Sequence, residues 1–158
     1  MLEGTEDCLR GRRTQVLEQR LYGFVYDFVG AWNRHDVDEL TTLYDDDALY
    51  EDLRLAVTLH GRLAILGHLG HLLATCPDAV LALGAEPVAG DDRAYFEWMT
   101  VADCDGRIQE LRGVSVMLVE DGRIVRQTDY PHSLAPGAAL ETTSVAAAVA
   151  EDNVAWGE

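Results

Sequence analysis

Basic side chains are scarce in this sequence. Lys and Arg together number 12 against 28 Asp and Glu, a formal net charge of −16 over 158 residues. Such a surface repels phosphate backbones and anionic lipid, so no nucleic-acid or membrane partner is expected; a neutral or apolar small molecule is. Cysteine is scarce too. Cys8, Cys76 and Cys104 are an odd set without CxxC spacing, which predicts no disulfide framework and a reducing cytoplasm. The opening MLEGTEDCLRGRR has no apolar core for a signal peptide, and no run of about 18 apolar residues occurs to span a bilayer. Phosphate loop, GxGxxG and nucleophile elbow are all missing, so nothing calls for a cofactor.

What is present is a core. Hydrophobic residues make up 48% of the chain, enough for one globular domain of this length. Residues 1–14 are polar and read as a loose arm. From Val16, the apolar positions Leu17, Leu21, Phe24, Val25, Phe28 and Trp32 recur at three and four, the stripe of a long helix that stops near Asn33-Arg34-His35. Asp36 and Glu39 form a capping-box pattern for a short helix. Asp45-Asp46-Asp47 is a turn without EF-hand spacing, and Ala48 to Leu53 reads as a short strand. Gly61 opens a third helix striped by Ile65, Leu66, Leu69, Leu72 and Leu73, with Pro77 just past its end.

The period then changes. Val80–Val88, Arg93–Ala102, Arg107–Val119 and Arg123–Tyr130 are strand-like runs joined by turns carrying Gly and Asp. Consecutive strands with short turns predict an antiparallel meander, and helices before strands predict an α+β fold. Beyond Pro136 the chain is Ala-rich, so the domain is bounded at 15–135 and residues 136–158 form a tail.

One hairpin, Gly113 to Ser133, concentrates the chemistry. Its first arm is apolar on both faces; its second carries Asp129 on the face of Val125 and Gln127. A carboxylate on the drier face is costly unless paired or used. Tyr50 and Asp52, two apart on one strand, share a face, so a cavity holding them with Asp129 would contain two carboxylates and a phenol. Burial raises a carboxyl pKa, and nearby acids push theirs apart, so one can donate a proton while the other accepts. The plainer alternative has Asp52 starting a turn and Asp129 pairing with Arg126 or Arg112. His68 and His71, three apart on a helix, lack an evident third ligand, so no metal is expected.

The segments FVGAWNRHD with VDELTTLYDDDALYED, then LHGRLAILGHL, then RGVSVMLVEDGRIVRQTDY, in that order over residues 16–133, resemble the SnoaL-like branch of the nuclear-transport-factor-2-like superfamily. The resemblance implies a cone-shaped fold, a curved antiparallel sheet with three helices enclosing an apolar pocket. It also implies acid/base chemistry without a cofactor, as in polyketide cyclases, ketosteroid isomerases and epoxide hydrolases, on a polyketide or terpenoid type of substrate. Asp129 looks like the acid those cyclases and hydrolases keep on the last strand, and Tyr50 looks like a water-positioning phenol. Asp52 falls where isomerases keep their base. Substrate contacts are then expected from Trp98, Phe28, Trp32, Leu66, Val114 and Gln127, with His60 at the mouth. Glu97 is expected on the outer sheet face, through which such proteins form homodimers. Phe28 and Val114 stand where the isomerases have oxyanion donors, and Trp98 and Thr100 fall near the hydrolases' Arg-x-Asp pair.

Overall fold

The computed structural model describes residues 3–104 and 106–133; the Ala-rich tail lies outside them. Helix α1 spans Glu3–Asn33, so it takes in most of the stretch expected to be a loose arm. Its buried positions Leu21, Val25, Phe28 and Ala31 follow the helical stripe. His35 ends it with a positive φ of 54°. The Asn33 side chain then both donates to and accepts from the backbone of Leu81, at 2.9 and 2.8 Å, fastening this helix end to the sheet.

Helix α2, Val37–Thr42, is capped by Asp36, whose carboxylate accepts the Glu39 N–H at 2.9 Å. Only half of the capping box forms, because the Glu39 carboxylate pairs with Arg34 instead. Strand β1, Tyr44–Asp52, turns back into β2, Val57–His60, a strand with no sequence signal of its own. Helix α3, Arg62–Thr75, follows from Gly61, whose φ of 85° favours glycine there. The run Val80–Val88 divides into β3, Val80–Leu83, and β4, Val88–Ala89. Three long strands follow: β5, Arg93–Cys104; β6, Arg107–Glu120; and β7, Arg123–Ser133.

The sheet order is β2-β1-β7-β6-β5-β3, with β4 pairing β5. The expected antiparallel sheet needs one correction: β1 and β7 pair in parallel, so the sheet is mixed. That pairing is between strands far apart in sequence, which turn chemistry does not foretell. It sets Tyr50 beside Gln127 and Asp52 beside Asp129.

The β6–β7 turn has positive φ at Asp121 and Gly122, 49° and 77°, as a tight hairpin turn needs. A register shift follows: Leu118 faces Arg126 but Val119 faces Ile124, leaving Val125 as the bulged residue. The bulge breaks simple alternation, so fully buried Ile124 joins the core while Val125 is half-buried.

The core lies between the helices and the inner sheet face, centred on Val25, Phe28, Leu40, Ile65, Leu69, Phe96 and Met117. The cysteine expectation also needs correction. Cys76 at the end of α3 and Cys104 at the end of β5 form a disulfide, with Cα atoms 4.7 Å apart. The fold, not CxxC spacing, brings them together, and such bonds persist in oxidising rather than reducing surroundings. No described helix is long and apolar enough to cross a membrane.

Candidate functional site

A cavity of about 150 Å³ opens between the helices and the inner sheet face. Helices α1 and α3 contribute Phe28, Trp32, Leu69, Leu72 and Leu73, and the sheet contributes Leu81, Trp98, Ala102 and Leu111, so its body is apolar. Its polar groups gather around Asp129.

Asp129 is 9% exposed and collects neutral donors. Its Oδ1 accepts from Ser115 Oγ at 2.6 Å and from Gln127 Nε2 at 2.9 Å, while Oδ2 accepts from the Tyr50 hydroxyl at 2.8 Å. Two of the three donors are themselves held. Trp98 Nε1 donates to Ser115 Oγ at 2.9 Å, and the buried Tyr44 hydroxyl donates to Gln127 Oε1 at 2.7 Å. A carboxylate offers about four acceptor positions, so Oδ2 retains one for a ligand.

Burial pushes the Asp129 pKa above its ordinary 3.8, and the three donors and the nearby Asp52 modify that rise, the donors lowering it and Asp52 adding to it. Burial, with Asp129 close by, also drives the Tyr50 phenol well above its usual value. Asp129 is therefore a stronger base than an exposed carboxylate, and Tyr50 stays protonated.

Gly113 makes this arrangement possible. It lies opposite Trp98 in the β5–β6 register, and a Cβ there would be driven into the indole ring. Only a glycine lets that ring lie across β6 and reach Ser115.

Asp52 lines the same cavity and is 6% exposed. Register partners in neighbouring strands project from one face about 4.8 Å apart, so its side chain and that of Asp129 are neighbours. One oxygen is already engaged, with Oδ1 accepting the Leu55 N–H at 2.8 Å. Asp52 thus combines the turn-starting role with a place in the cavity. Asp129 is otherwise: neither Arg126 nor Arg112 touches it, and Arg126 pairs with Glu51 on the opposite face.

Of the residues expected to meet substrate, Trp98, Phe28, Trp32 and Gln127 join Tyr50, Asp52 and Asp129 around the cavity. Three placements are corrected. Val114 alternates with Ser115, so it faces outward and is 37% exposed, beside Tyr130. His60 pairs with Leu49, whose side alternates with that of Tyr50, so it lies exposed on the far face. Leu66 sits too early on α3, which reaches the cavity through Leu69, Leu72 and Leu73, with Cys76 just past its end. Glu97 is exposed on the outer side.

Ser115, Tyr44, Arg54 and Gln109 went unnoticed in the sequence. Ser115 alone left a signal, a lone hydroxyl in an apolar strand. His68 is half-buried on α3 with its ring 5.5 Å from that of Tyr50, and burial lowers its pKa. Among the described residues no group of three or more His, Cys, Asp or Glu is arranged to hold a metal.

A family model for the SnoaL-like domain matches residues 25–127, ending two residues before Asp129. No curated protein matches the chain in sequence. A Catenulispora acidiphila protein with a ketosteroid isomerase-like fold, solved with trimethylamine, is 20% identical with a TM-score of 0.64, covering 70% of this chain and 85% of its own. Bal32a, from a soil-derived mobile gene cassette, is 21% identical with a TM-score of 0.67, over 73% and 92% of the two chains. An M. tuberculosis epoxide hydrolase of the LEH-like type is 18% identical with a TM-score of 0.64, over 73% and 84%. At these identities the likeness is one of fold.

Proposed function

Because the chain belongs to the SnoaL-like domain family, we propose that it is a cofactor-independent cyclase or isomerase acting on an apolar, oxygenated intermediate of polyketide or terpenoid type. One observation carries the proposal. Asp129 is a buried carboxylate held by three neutral donors at the polar end of an apolar cavity. Burial without a cation raises basicity, as general-base catalysis near neutral pH requires.

Asp129 Oδ2 takes a proton from the carbon beside a substrate carbonyl, and the C–H electron pair passes into an enolate. In a cyclisation the enolate carbon attacks a second carbonyl of the same molecule, forming a C–C bond, and Asp129 returns its proton to the new alkoxide. An isomerisation returns the proton to a different carbon. Tyr50 follows that proton. While Asp129 is ionised, the phenol donates to it; once Asp129 is protonated, the phenol is free to donate to the substrate oxygen. Asp52 is the second carboxylate, and its charge favours proton uptake at Asp129. Trp98, Phe28 and Trp32 supply the apolar walls. The 158 residues include no lysine, so a lysine Schiff base has no part in this chemistry.

Epoxide opening is the runner-up, favoured by the likeness to the mycobacterial hydrolase. There Asp129 would activate water or an internal hydroxyl. Against it, Trp98 and Thr100 occupy the region where the resemblance would require an Arg and an Asp. A homodimer through the outer sheet face would cover the exposed Tyr95, Val114 and Tyr130.

The test needs no natural substrate. Deuterium uptake from D₂O into the α positions of 2-tetralone, followed by mass spectrometry, reports proton abstraction directly. Asp129→Asn should slow the protein-dependent rate about 10²- to 10⁴-fold, while native mass spectrometry still finds any co-purifying ligand bound. Undiminished exchange in the variant overturns the proposal, and binding without exchange or epoxide turnover makes the protein a ligand-binding domain.

A further inference from the structure

The cavity has a second chemically distinct end. Of the residues lining it, Arg54, Leu55 and Gln109 are exposed, so these form its rim. Arg54 is also the one cation among the lining residues. In a chain with 28 acids to 12 bases, a guanidinium is expected to find a carboxylate. Among the described residues Arg34, Arg62, Arg93 and Arg126 do so; Arg54 is in none of those pairs, nor are Arg20, Arg107, Arg112 and Arg123, and of these only Arg54 lines the cavity.

The turn that carries Arg54 is tied to the reacting groups. The Leu53 N–H donates to the Asp129 carbonyl at 3.1 Å, and the Leu55 N–H donates to Asp52 Oδ1 at 2.8 Å. Ala56, at a φ of 52°, completes the reversal. The backbone of Arg54 is thereby fixed relative to Asp52 and Asp129, while the residue itself is exposed at the mouth. Leu53 and Leu55 on either side are 54% and 40% exposed, an apolar lip around one positive charge.

We infer that the ligand of this site is an apolar molecule bearing a carboxylate, with Arg54 holding that carboxylate at the rim and Gln109 offering a further hydrogen bond. This rests on the acid/base reading of the cavity and adds its substrate class and orientation. The two inner carboxylates repel an anion, and Arg54 attracts one, so the acid end stays outside and the neutral, enolisable end enters. A guanidinium suits the task because it presents a planar fork to a carboxylate.

Two matched probes test this: 2-naphthoic acid, ionised at pH 7, and 2-naphthamide, of the same shape and neutral. Calorimetric titration of the full chain at low salt should show the acid binding about five- to tenfold more tightly than the amide. Arg54→Gln should remove or reverse that preference, since the inner carboxylates then act unopposed, and should leave amide affinity within about twofold. Raising the salt should narrow the wild-type preference, because the rim is exposed. Equal affinities in the wild type, or a preference surviving in Arg54→Gln, overturn the inference. If 2-tetralone exchange still depends on Asp129 while the preference is missing, the carboxylate anchor falls alone. If the preference holds without exchange, the acid/base reading falls alone. If the preference and the Asp129-dependent exchange are both missing, both fall.

Discussion

Glu51 and Asp129 are carboxylates on neighbouring strands, each accepting more than one hydrogen bond, yet the sheet gives them opposite characters. Glu51 lies on the outer face, where it accepts from Arg126 at 2.7 Å and from Thr128 at 3.1 Å. Its hydrogen bond with Arg126 leads the causes that hold its pKa below the ordinary 4.5. Asp129 lies inward, with neutral partners, and burial raises its pKa. The number of hydrogen bonds does not separate the two. What separates them is whether water or a cation balances the charge. The outer acid is held ionised and inert; the inner one is kept available for a proton.

The largest way to disturb this contrast is through the inner face alone. Cys76 and Cys104 both line the cavity and close a loop with a sequence separation of 28. Replacing both with serine should cost up to about 3–4 kcal/mol of stability by the chain-entropy account. Urea melts of oxidised, reduced and variant protein check this, with the oxidised form melting at the highest denaturant. Deuterium exchange by Asp129 should fall as the end of α3 loosens. Equal midpoints would show that the bond does not constrain the fold.

Ser115→Ala should have a smaller effect and sharpen the contrast. It removes the shortest of the three bonds to Asp129 and strands Trp98 Nε1, costing about 1–3 kcal/mol. With one donor fewer, the Asp129 pKa should rise further. The acid limb of the pH–activity profile should then move to higher pH, because the base form is the active one. A limb that stays in place would separate Ser115 from the acid/base function.

The smallest effect is in stability against pH, where the two acids should pull in opposite directions. Asp129, raised above 3.8 in the folded state, binds its proton there more readily than in the unfolded chain. Its contribution therefore favours folding at the low end and is lost as pH rises from about 3.8 through the raised value. Glu51, lowered from 4.5, contributes stability above that value, which is lost as pH falls through its folded pKa. Asp129→Asn should remove the loss on the rising side, and Glu51→Gln the loss on the falling side. Melting temperatures of the three proteins across pH 3 to 7 check the signs, and equal curves would erase the distinction between the acids.

How far the site is legible varies residue by residue. Alternation along β5 correctly separates inward Phe96 and Trp98 from outward Tyr95 and Glu97, and spacing two apart puts Tyr50 and Asp52 together. The same rule misplaces Val114 when a family resemblance is laid over it, since its neighbour Ser115 has the inward position. It also slips at Val125, where a bulge adds a residue that periodicity cannot count. Arg54 carries no signal in the sequence because its interest lies in its place at the cavity rim, which only the fold reveals.

By itself, the sequence determined the apolar stripes of the helices, the Asp36 cap, the hairpin turn and the presence of an acid in an otherwise apolar setting. Those depend on interactions over a few residues, through side-chain period, local hydrogen bonding and the φ that a residue tolerates. Tertiary structure alone decided the parallel β1–β7 pairing, the Cys76–Cys104 bond and the partners of Asp129. Tyr50 is 79 residues from Asp129 in the chain, and which donors meet a carboxylate across that distance is settled only when the strands assemble. The pKa of Asp129 belongs to that assembly, because desolvation comes from what packs around a group and not from its neighbours in sequence.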